Sequence, residues 1–154
     1  ERFLPAEHKD RNDQIINEIW LDNSPIPKNN IHFIKAELGL LEARAEYENT
    51  LKRIDKFDVV LLSMGEDGHI ASLFPNHSYP KEQLVVIEQN SPKPPKERIS
   101  MSYKQLNQSH YVFKLIMGES KQKAVALLKQ NVNLPIARVN GDFEKKYLCK
   151  SVVL

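Results

Sequence analysis

Apolar and polar positions along the chain follow two periods, and each period predicts a different kind of element. Ile15, Ile16, Ile19 and Trp20 fall on one face of a helix that opens at Asn12, a residue type suited to capping. Asn23-Ser24-Pro25-Ile26-Pro27 breaks that pattern. Ile31 to Ile34 reads as a short strand, and Leu38, Leu41, Ala45 and Leu51 predict a longer helix with a solvated charged face. Phe57 to Leu62 is a nearly unbroken apolar run, too short for a helix and suited to a central strand of a parallel sheet covered on both faces. Leu84 to Ile87, Arg98 to Ser102 and Tyr111 to Met117 read as further strands, and Tyr147 to Val153 as a last one. The Pro-rich stretch Ser91 to Pro95 reads as a stiff, extended connector. Gly118-Glu119-Ser120 starts a helix running through Ala124, Leu127 and Leu128. Trp20, Phe33, Phe57 and Phe113 are expected in the core.

This alternation predicts an α/β fold: a three-layer, open, mostly parallel sheet with helices on both faces, in one domain over residues 1–154. The composition supports a single core, with 41% hydrophobic residues in 154. A formal charge of +2 gives no basic field, so nucleic acid is not an expected partner. No apolar run approaches the ~20 residues that would cross a bilayer, so no membrane partner is expected either. The single Cys149, expected to be buried, rules out an internal disulfide and fits a reducing cytoplasm. The histidines at 8, 32, 69, 77 and 110 are scattered, with no metal-ligand spacing, and neither a metal nor a cofactor is expected.

One segment carries recognisable chemistry. After the apolar run come Ser63-Met64-Gly65-Glu66-Asp67-Gly68-His69, and ligands of open α/β sheets bind beyond the carboxyl ends of strands. Gly65 and Gly68 permit positive φ and close approach of a ligand to the backbone. His69 exchanges a proton near neutral pH, and Asp67 either orients that imidazole or holds the turn through its own backbone. His77, behind the turn Pro75-Asn76, reads as an exposed loop histidine.

Met64 to Pro75, read as Met-Gly-Glu-Asp-Gly-His-Ile-Ala-Ser-Leu-Phe-Pro, resembles the signature of the 6-phosphogluconolactonases. The related glucosamine-6-phosphate deaminases share the Gly-Asp-Gly-His core but carry Phe-Asn-Glu-Pro where this chain has Ser72-Leu73-Phe74-Pro75. Glu1-Arg2 resembles the end of the family's Asp-Glu-Arg motif. Arg11-Asn12 sits where the family has Ser-Asn, and Ser91 to Ser100 resembles its Pro-Lys-Pro-Pro…Arg-Ile segment. The resemblance runs from Glu1 to about Val139. The family's N-terminal strand and Ser-Gly-Gly-Ser-type phosphate loop have no counterpart, and the C-terminal Trp-x-x-Asp ending is not matched by Tyr147-Leu148-Cys149-Lys150.

The resemblance implies hydrolysis of 6-phospho-D-glucono-1,5-lactone to 6-phosphogluconate in the oxidative branch of the pentose phosphate pathway. His69 is then the general base that activates water. Main-chain N–H groups around Gly65 and Gly68 are expected to stabilise the oxyanion. Arg2, Lys93 and Arg98 are expected to grip the substrate phosphate, Arg98 foremost, with Lys96 able to exchange roles with Lys93. The implied partner is a small sugar-phosphate lactone, bound by a monomer or homodimer. Two other readings stand beside it: an isomerase or deaminase of the same fold, and a sugar-phosphate-binding fragment without turnover.

Overall fold

The apolar run Phe57–Leu62 forms strand β1. It pairs in parallel with β4 (Ser109–Ile116), Phe57 opposite Ser109 and Leu62 opposite Lys114. β4 pairs in parallel with β5 (Phe143–Leu148), which completes a sheet of order β1-β4-β5. β2 (Val85–Glu88) and β3 (Arg98–Met101) form a second sheet. Helices α1 (Asn12–Ile19) and α2 (Leu40–Leu51) precede β1, while α3 (Tyr103–Asn107) lies between β3 and β4 and α4 (Gln122–Lys129) between β4 and β5. The α/β class and the mostly parallel sheet are as the alternation predicts. This computed structural model describes residues 1–152. The chain divides into two compact units, Glu1–Arg53 with Val85–Ser100, and Ile54–Leu84 with Met101–Leu154.

In the first unit, α2 packs against β2 and buries Ala43, Tyr47 and Leu51. Only Leu51 of the expected stripe is among them: Leu38, Leu41 and Ala45 are exposed, and Gly39 at φ +97 ends a short 3-10 turn before α2 begins. Burial pushes the Tyr47 phenol up to about 12, so it stays protonated. Asn12 does not cap α1. Arg11 holds the cap position, and the Glu1 carboxylate accepts the N–H groups of Asn12 and Asp13, both at 2.9 Å. A carboxylate there also complements the positive end of the helix dipole. Trp20 is 52% exposed and Ile19 more so, which corrects the core assignment of Trp20. Ile31–Ile34 is extended but joins no ladder; the Ile34 carbonyl is instead taken by the Arg11 guanidinium.

The second unit buries one face of its sheet. Val60, Val112 and Ile116 are buried on it, and Ala124 and Val125 of α4, Leu134, Ile136 and Val139 are buried in the same unit. The opposite face carries exposed Val59, Leu61, Tyr111 and Phe143, so β1 is not covered on both faces within its unit. Lys114 is fully buried, and its ammonium donates to the Glu144 carboxylate at 2.6 Å, tying β5 to β4. Burial pulls the Lys114 pKa down while Glu144 holds it up, and burial prevails. The last strand runs Phe143–Leu148 rather than Tyr147 to Val153; Lys150–Val152 is a 3-10 turn, and Val153 lies outside the described residues. Cys149 is exposed, not buried.

Candidate active site

The His69 turn is built by its own backbone. β1 ends at Leu62, and the buried Met64 anchors the exit. The Gly65 N–H donates to the His69 carbonyl at 2.8 Å, and the Gly68 N–H donates to the Gly65 carbonyl at 3.0 Å. Gly68 sits at φ +85, and a Cβ there would meet Leu134 Cδ1 at 2.7 Å. Its carbonyl accepts the Ile136 N–H at 3.2 Å, which straps the turn to the segment after α4. A Cβ on Gly65 would lie 2.1 Å from both Cε1 and Nδ1 of His69, so the imidazole occupies the space that any other residue at 65 would fill.

Asp67 bridges the turn to the ring. Its Oδ1 accepts the His69 main-chain N–H at 3.0 Å and lies 2.6 Å from His69 Nδ1. Burial works to raise the Asp67 pKa, but the His69 N–H and ring outweigh it and hold the carboxyl below its ordinary 3.8. An ionised carboxylate only accepts, so the proton between the two groups belongs to Nδ1 and the lone pair of the neutral ring falls on Nε2. The two open roles of Asp67 are thus combined in one atom. His69 packs against Phe74, ring centroids 4.7 Å apart, and keeps 22% of its side chain exposed. This arrangement leaves Nε2 as the basic nitrogen of a partly exposed ring. Of the main-chain N–H groups expected around these glycines, those of Gly65 and Gly68 themselves are engaged in closing the turn.

The cations expected at a phosphate lie in the first unit. Arg98 is buried; its Nε donates to the Pro95 carbonyl at 3.3 Å, and its Nη2 to those of Lys93 and Pro94 at 3.1 and 3.4 Å. Ser91 N–H to Lys96 carbonyl, at 3.1 Å, closes the same segment into a loop, so it is no extended connector. Lys93 and Lys96 are exposed on this loop. Arg2 pairs with Arg98 in an antiparallel bridge and donates to the Asp10 carbonyl. Burial lowers the Arg98 pKa, and the nearby Arg2 charge lowers it further. Arg2 also lines a groove of about 460 Å³ with Leu4, His8, Asp10, Pro94 and Pro95.

Sequence reasoning missed two clusters. Arg11, noted only as a departure from Ser, is buried and holds both Asp13 oxygens and Glu37 Oε2 at 2.6 Å. Burial opposes its charge, yet Asp13 and Glu37 outweigh that and raise its pKa. The i, i+2 spacing of Arg11 and Asp13 was the one visible signal. The other cluster centres on Tyr79 and Phe74, beside His69. His77 belongs to it as well, half-buried with its ring 5.8 Å from Phe74, rather than exposed. Among the described residues no group of three His, Cys, Asp or Glu gathers to hold a metal ion, and no helix is long and apolar enough to cross a membrane.

A parallel-sheet α/β protein with a carboxylate-oriented histidine in the loop after a strand is the class that fold and turn define. Comparison with known proteins makes it specific. The family model described as glucosamine-6-phosphate isomerases/6-phosphogluconolactonase matches residues 1–148, and the chain belongs to that family. The chloroplastic 6-phosphogluconolactonase 3 of Arabidopsis thaliana is 38% identical over an alignment covering 89% of this chain and 47% of the relative. The 6-phosphogluconolactonase of Thermotoga maritima is 32% identical, covering 92% of this chain and 64% of its own. The crystal structure of the Thermotoga maritima 6-phosphogluconolactonase superposes with a TM-score of 0.88 at 31% identity, over 96% of this chain and 68% of that one. The chain therefore spans between about half and two-thirds of the length of these relatives.

Proposed function

We propose that this chain carries the catalytic turn of a 6-phosphogluconolactonase, hydrolysing 6-phospho-D-glucono-1,5-lactone to 6-phosphogluconate. The observation that carries the reading is the Asp67–His69 pair at 2.6 Å, which engages Nδ1 and leaves Nε2 of a partly exposed imidazole as its basic nitrogen. Water gives a proton to Nε2 as its oxygen attacks the lactone carbonyl. The tetrahedral intermediate then expels the ring oxygen, which takes the proton from the imidazolium to become the 5-hydroxyl, and the new carboxylic acid ionises. Asp67 stabilises the imidazolium between these steps.

We assign the substrate phosphate to Arg2, Lys93 and Arg98. The mutual repulsion that helps lower the Arg98 pKa is what an anion would relieve. Arg98 also shapes the loop that bears Lys93. The names of the relatives support the reaction, and through it a place in the pentose phosphate pathway. A reducing compartment such as the cytoplasm fits the exposed thiol of Cys149, although the Arabidopsis relative is named as chloroplastic. We take the working form to be a monomer or homodimer.

The test is the rate of 6-phosphogluconolactone hydrolysis by the chain and by His69→Ala. The variant is expected to lose roughly 100- to 10,000-fold in kcat. Unchanged turnover would remove His69 from the mechanism.

A further inference from the structure

Tyr79, ten residues after His69, has no counterpart in the motif that identifies the turn. Its hydroxyl nevertheless accepts the Phe74 N–H at 3.0 Å and donates to the Ser72 carbonyl at 3.2 Å. These two bonds bracket Leu73, whose N–H and carbonyl are bonded to Ile70 at 2.7 and 3.3 Å. Residues 70–74 are thus closed twice, once by their own backbone and once by a side chain from outside. The closure includes a difficult conformation, since Ala71 sits at φ +46 without being a glycine. The Phe74 ring that it fixes is 2% exposed and lies 4.7 Å from the imidazole, tilted by 38°. Tyr79 is itself seated edge-on against Tyr103, ring centroids 6.3 Å apart.

We propose that Tyr79 is a positioning residue for His69, acting through Phe74, an inference that rests on the lactonase reading for its kinetic consequence. The imidazole has three supports: Asp67 at Nδ1, Gly65 against Cε1 and Nδ1, and Phe74 against the ring. Asp67 fixes a single ring nitrogen and leaves the ring able to swing about that hydrogen bond. Phe74 blocks the swing, and the Tyr79 hydroxyl holds Phe74 where it blocks. A general base needs its lone pair aimed at the proton it takes, and small misplacements are costly in rate.

Tyr79→Phe removes the hydroxyl while keeping the ring against Tyr103. The expected result is a fall in kcat of about tenfold with KM within twofold. The ¹⁵N and ¹H resonances of the His69 ring, read without substrate, are expected to shift or broaden. Phe74→Leu, which leaves the hydroxyl bonds but removes the blocking ring, is expected to do the same. A Tyr79 that merely staples the loop would lower the thermal midpoint and leave the His69 resonances and kcat per folded molecule unchanged; that result overturns the proposal. If neither the parent chain nor the variants turn over the lactone, the His69 resonances still decide. A change in them upholds the positioning role while the reaction assignment falls, and their constancy overturns the role.

Discussion

The His69 turn and the Ser91–Arg98 loop are both short, rich in Gly or Pro, and built around one ionisable side chain, yet they use that side chain in opposite ways. In the His69 turn the backbone closes on itself through the Gly65 and Gly68 N–H groups. The imidazole is left with Asp67 on Nδ1, and its other nitrogen is the one proposed to take the proton. In the second loop Pro92, Pro94 and Pro95 have no N–H to give. The carbonyls of Lys93, Pro94 and Pro95 are met by the guanidinium of Arg98 instead. How a loop satisfies its own backbone therefore decides how far its charged residue is already engaged before any substrate arrives.

The sharpest break of this contrast is Gly65→Ala. The added Cβ would lie 2.1 Å from the imidazole, too close to coexist with it, so the ring must leave its seat. A displacement on the order of 1 Å is worth about 100-fold in rate, and we expect at least that loss in kcat/KM, with displaced His69 ring resonances. Wild-type kinetics in this variant would show that the seat against Gly65 is dispensable.

Asp67→Asn is expected to be the next largest, roughly 10- to 100-fold in kcat, because an amide can offer Nδ1 a donor as readily as an acceptor and no longer fixes the tautomer. It also carries a pH signature. Because the Asp67 carboxyl is held below its ordinary 3.8, its contribution to the turn is present above 3.8 and is lost as pH falls through the lower folded value. Hydrogen exchange of the His69 amide, measured down the acid range, should accelerate at low pH in the parent chain. In Asp67→Asn it should lack that step, and an identical step in both would assign the titration elsewhere.

The same contrast separates what was legible in the sequence from what was not. β1 and the His69 turn were readable because their signals are local: an unbroken apolar run, then glycines bracketing an acid and a histidine. Ile31–Ile34 has the composition of a strand but pairs with no strand among the described residues, and pairing is a property of the fold. The periodicity of Ile15, Ile16, Ile19 and Trp20 places them on one face of α1 without saying that anything covers it. Glu1 capping α1 and Arg11 holding Glu37 join positions distant along the chain, and Tyr79 clasping residues 72–74, though near them in sequence, follows no periodicity that announces it. That the Gly65 and Gly68 amides close the turn was not legible, because positive φ and close approach say nothing about which carbonyl an N–H will find.

Arg98→Lys probes the other side of the comparison and is expected to have the smallest effect on catalysis. It keeps a cation for the phosphate but gives up the planar fork, and one ammonium on a flexible stem cannot reproduce the fork's bonds to Pro95, Lys93 and Pro94 together. Hydrogen bonds of this charge-assisted kind contribute about 1.5–3 kcal/mol, and a lysine recovers some of them, so denaturant unfolding should show a loss of about 1–2 kcal/mol. KM for the lactone should move by less than about threefold, because the charge remains. If instead KM rose tenfold with stability intact, the fork would be serving the substrate phosphate alone and not its own loop as well. The two loops would then present their charged residues in the same way, and the contrast between them would fail.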